Sequence, residues 1–128
     1  MRPRRAFPTI ALLIPLMLAG CAARPIHPGA ANSYDSNAYD ALIVAHSVIE
    51  TTKTDLANNA FPASIAGNVK TALNDLIRGY DVAQTAYTAY HASAVVGTAT
   101  PAQSTALTNA LNDVNSKTAA LTAAKAGK

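Results

Sequence analysis

The stretch VKTALNDLIRGYDVAQTAYTAY, residues 69–90, decides the fold. Val69, Leu73, Leu76, Tyr80, Ala83, Tyr87 and Tyr90 recur by alternating steps of four and three. That period gives a helix one apolar seam and a polar back, and no strand shares it. The helix extends outward to about residues 62–92. Pro62 suits its first turn, where a missing N–H costs nothing. Gly79 sits in the middle and costs about 1 kcal/mol relative to Ala. It implies either a close approach by a neighbouring helix or a kink.

Two more helical segments flank this one. On the N-terminal side, Tyr39, Leu42, His46, Ile49 and Leu56 form a stripe over residues 36–57, with Lys53 filling the gap, and Ser33 or Ser36 is placed to cap the start. On the C-terminal side, Thr100-Pro101-Ala102-Gln103 has the form of a capping box with Pro in the first helical position. It opens a helix over residues 101–125 whose seam is Leu107, Leu111, Val114, Thr118 and Leu121, with Gly127 as its end. The short connections at residues 58–61 and 93–99 force antiparallel neighbours. The expected fold is all-α: an up-down-up antiparallel three-helix bundle over residues 34–126. A turn centred near residue 60 would set Glu50 opposite Lys70. One centred near residue 96 would set Asp75 opposite Lys117 and Arg78 opposite Asp113.

Composition narrows the function. The 128 residues are 50% hydrophobic but only 5% aromatic, so alanine must fill much of the core. The net charge is +3, yet Arg2, Arg4 and Arg5 supply three of the ten basic residues, leaving seven against seven acidic ones. The part that folds is neutral and lacks the basic stripe that nucleic acid requires. A single cysteine excludes an internal disulfide and a multi-cysteine metal site.

That cysteine lies in an informative context. A basic start at residues 1–5, an apolar run from Ala6 to Leu18 and the small pair Ala19-Gly20 have the layout of a secretory signal peptide over residues 1–20. As a helix the run would reach about 21 Å, short of the hydrocarbon core at about 30 Å. Leu18-Ala19-Gly20-Cys21 resembles the lipobox of bacterial lipoproteins. The resemblance implies that the Cys21 thiol receives a diacylglycerol, that the chain is cut between Gly20 and Cys21, and that the new α-amino group is acylated. Membrane lipid is then a partner through Cys21. With Ala22 rather than Asp after the cysteine, the resemblance further implies the outer membrane. Residues 22–33 hold two prolines, a glycine and no periodicity, and read as a flexible linker able to span about 40 Å.

Candidate chemistry is sparse. The expected register separates His46 from His91 by about 25 Å along the bundle, too far to share a metal ion. His27 can approach His91 at one pole, but two histidines without a carboxylate make a poor site. Ser47 adjoins His46 yet points about 100° away on a helix. Neither a catalytic group nor a cofactor or metal site is expected. Tyr80, Tyr87 and Tyr90 line one stripe of the second helix, and the favoured reading packs them in the bundle with their hydroxyls at its edge. The alternative makes Tyr87 and Tyr90 a candidate interaction surface, with Tyr90 the better placed to escape the core. The expected role is non-catalytic: to support, space or bind an envelope protein or a second copy of the chain. A ligand-binding accessory module using the tyrosine pole is the other expectation.

Overall fold

The computed structural model describes residues 26–128. The expected signal peptide, its cleavage site at Gly20 and Cys21, and the first part of the linker lie outside the described residues. The rest is an all-α helical bundle of α1 (Ser33–Ala57), α2 (Ala63–Ala94) and α3 (Pro101–Lys125).

Local chemistry sets each start. Asn32, not Ser33 or Ser36, caps α1: its backbone is extended and its side chain accepts the Asp35 N–H at 2.9 Å. Pro62 precedes α2 instead of lying inside it, and its carbonyl accepts the first helical bonds, from Ile65 and Ala66 at 3.0 Å each. The capping box of α3 is fully formed. The Gln103 N–H donates to Thr100 Oγ1 at 3.2 Å and the Thr100 N–H to Gln103 Oε1 at 2.9 Å. Asn59 takes a left-handed conformation (φ 53°) in the first turn, where a short polar side chain tolerates it.

The α2 and α3 seams run largely as their periodicity dictates. Val69, Leu73, Leu76, Ala83 and Tyr90 are buried on α2, and Leu107, Val114 and Leu121 on α3. The α1 seam is rotated. Leu42 and Ile49 are buried as expected, but the alternate positions are Ala38, Ala45 and Thr52, while Tyr39, His46 and Lys53 are exposed. Bulk misleads here, because small residues let α1 lie close to its neighbours. Thr52 is fully buried yet satisfied. Its hydroxyl donates to the Val48 carbonyl at 2.8 Å and accepts from Lys125 Nζ at 3.1 Å.

The expected ion pairs between helices do not form. Glu50 pairs with Lys53, Arg78 with Asp75, and Lys117 with Asp113, all within single helices. Pairs three or four residues apart are already neighbours on a helix surface. The hydrogen bond from Lys53, the largest influence, holds the Glu50 carboxyl below its ordinary pKa. The α2–α3 register itself matches the turn near residue 96, because Gly79 lies under Asp113 and Lys117. Along α1 the register is displaced: His46 faces Tyr80, ring centroids 5.9 Å apart, instead of residue 74.

Gly79 therefore marks a close helix approach. A Cβ there would lie 2.9 Å from Lys117 Cδ and 3.0 Å from Asp113 Oδ2. Both atoms belong to flexible side chains in a partly exposed ion pair, worth about 0–1 kcal/mol. The helix propensity gained with alanine is about 1 kcal/mol. Gly79→Ala is expected to stabilise the domain slightly, by less than about 1 kcal/mol in urea unfolding. A loss above about 2 kcal/mol would mean that the backbones themselves are held in contact.

Candidate functional site: a pole of histidines, tyrosines and a buried carboxylate

The start of α1, the end of α2 and the start of α3 meet at one pole. Asp35, in the first turn of α1, is fully buried there. Its position suits a negative charge, since helix N-termini carry a partial positive charge. Oδ2 accepts the Ala31 N–H at 2.8 Å and the His91 Nδ1–H at 2.7 Å. Oδ1 is buried with no hydrogen-bond partner among the described residues. An unpartnered buried oxygen of this kind is costly.

A second acid–histidine pair lies beside it. His27, in the segment before α1, pairs through Nε2 with Asp40 and donates its backbone N–H to Ser36 Oγ at 3.1 Å. Residues 26–32 are thus held against α1, where the sequence suggested a flexible linker. Hydrogen bonds of this segment to Ser36, Asp40, Asp35 and Tyr90 cause the difference. They leave each of the two polar histidines with a carboxylate, which the sequence had not placed.

Four rings connect the pairs. His27 meets Tyr39 edge-on at 5.0 Å, Tyr39 lies 6.2 Å from Tyr87, and Tyr87 stacks on His91 at 5.6 Å. Burial raises the pKa of the Tyr87 phenol, and the Asp35 charge raises it further, so Tyr87 stays protonated at neutral pH. Together with residues 28–30 these rings line a cavity of about 250 Å³.

The two candidate surface tyrosines differ. Tyr87 is half-buried and borders the cavity. Tyr90 is not a surface residue: it is 7% exposed, with Tyr34 edge-on at 5.1 Å and its hydroxyl accepting from Asn32 Nδ2 at 3.2 Å. Tyr34 closes the pole by donating to the Ser104 carbonyl at 3.0 Å. His46 is exposed on the flank of α1, away from this cluster.

Chemically the cluster can exchange hydrogen bonds and stack on a small ligand. Among the described residues no group of three His, Cys, Asp or Glu side chains is placed to hold a metal ion. No hydroxyl or thiol among the described residues is hydrogen-bonded to His91. The chain matches no known protein family, curated protein or solved structure. Sequence reasoning missed Asp35. The spacing Asn32-x-x-Asp35 is an N-cap signature that marks the start of α1. Its burial depends on His91, 56 positions along the chain.

Proposed function

We propose that the protein is a lipid-anchored helical lipoprotein of the bacterial envelope with a non-catalytic role, supporting, spacing or binding another envelope component. The observation that carries this reading is Leu18-Ala19-Gly20-Cys21, placed directly after a basic start and an apolar run. Lipid on Cys21 then supplies the membrane attachment. No helix among the described residues is long and apolar enough to cross a bilayer. In its finer form the reading takes the bundle as up-down-up and antiparallel. Asp35 against His91, near one end of α1, and Thr52 against Lys125, near the other, support that topology. Ala22 after the cysteine favours the outer membrane.

The test is the chemical state of Cys21 in the mature protein. Cells given radiolabelled palmitate should incorporate it, and the purified protein should begin at Cys21 with a mass raised by acyl chains. An unlabelled product retaining residues 1–20 and a free thiol overturns the reading.

A second reading, a ligand-binding accessory module, is favoured by the ring-lined cavity between His27 and His91. It keeps the anchor and changes only what the domain does at the membrane.

A further inference from the structure

The apolar residues of α1 outnumber those its core contact uses. Leu42, Ala45 and Ile49 face inward, while Ile43 and Val44 stand about half exposed on the outside. Tyr39, 41% exposed, and Ile26, 51% exposed, join them. These are four of the seven large apolar side chains exposed among the described residues, and they share one neighbourhood. The His27 ring touches Tyr39 and Asp40, which puts Ile26 one residue from that contact. Ile43 and Val44 follow Asp40 by three and four residues, on its side of the helix. Between Ala38 and Ile49 the only carboxylate is Asp40, and His27 already engages it. The outer side of α1 between Tyr39 and Val44 is therefore apolar with its one carboxylate engaged, and the exposed polar residues His46, Ser47 and Glu50 follow it toward the C-terminal half of the helix.

What covers this face follows from how near Cys21 lies to it along the chain. Five peptide steps separate Cys21 from Ile26, a reach of at most about 18 Å. The rest of the linker is held along α1 and adds no length. We propose that the outer face of α1 around Ile26, Tyr39, Ile43 and Val44 rests on the lipid surface, so that the bundle lies flank-down on the membrane. The inference rests on the anchor at Cys21. A face of this kind lies in the boundary between headgroups and acyl chains as the apolar side of an interfacial helix does. The short reach makes docking intramolecular, so a contact too weak to recruit a free protein suffices.

The chain contains no Trp, so single replacements report cleanly. Acylated full-chain protein carrying Ile43→Trp is reconstituted in phosphatidylethanolamine–phosphatidylglycerol vesicles, with or without brominated acyl chains. Asn112→Trp, on the exposed side of α3, is the control. The expected result is blue-shifted emission, strongly quenched by bromolipid, for Ile43→Trp and neither effect for Asn112→Trp. Emission from Ile43→Trp as red and as unquenched as the control overturns the docking while leaving the anchor intact. So does blue-shifted, unquenched emission that grows with protein density, which would assign the face to a second copy. Protein that fails to float with the vesicles and carries no acyl mass overturns the anchor itself. Val44→Trp repeats the measurement from an adjacent position, and helical circular dichroism confirms that each variant folds.

Discussion

Cys21→Ser is expected to abolish processing and anchoring together. On the proposed pathway the sulfur atom is the nucleophile that takes the lipid, and cleavage follows lipid transfer. A serine hydroxyl is a far weaker nucleophile than a thiol, of which a few per cent is thiolate near neutral pH. The variant should accumulate with residues 1–20 still attached, take up no palmitate, and be missing from the outer-membrane fraction. The energetic loss is large. At about 0.8 kcal/mol per buried methylene, a sixteen-carbon chain contributes roughly 12 kcal/mol, and two or three such chains make attachment effectively permanent. The α1 face cannot replace them, because its docking depends on the short reach that the anchor provides. Fractionation with intact-mass measurement reads the outcome. Normal cleavage and normal outer-membrane recovery of Cys21→Ser would refute the assignment.

Asp35→Ala is expected to destabilise the described domain strongly. The carboxylate is fully buried and holds both His91 and the Ala31 N–H. Truncation leaves both donors without their acceptor and loosens residues 26–32 from the start of α1. Leaving a buried donor without its acceptor costs about 1–3 kcal/mol. The His91 side chain is 35% exposed and can regain water, so a total of about 2 kcal/mol is expected. Domains of this size are stable by about 5–15 kcal/mol, so the loss is a large share of the total. Asp35→Asn retains an acceptor and should cost distinctly less. Urea unfolding of both variants gives the comparison. A change under about 0.5 kcal/mol for Asp35→Ala would show that the pair contributes nothing to the fold.

The helices were legible because their signals are local. The four-three seam of α2 and the capping box at Thr100 and Gln103 need nothing beyond a few adjacent turns. The α1 seam was misjudged because Ala38, Ala45 and Thr52 carry little hydrophobic signal, while the bulkier Tyr39 and His46 occupy its flank. The pole was illegible for another reason. Asp35 meets His91 and Asn32 meets Tyr90 only through a register of α1 on α2 that the turn near residue 60 does not dictate. A linker rich in proline and glycine gives no sign that His27 will find Asp40.

The way residues 26–32 double back along α1 also fixes how the domain answers a mechanical load. With the proposed anchor at Cys21, tension from the membrane would enter the described part of the chain at Ile26. The His27 contacts with Ser36 and Asp40 would take the strain first, the Ala31 link to Asp35 next, and the Asn32 cap last. The segment would then act as a series of fuses, each yielding a little slack before any force arrived at the hydrophobic interior.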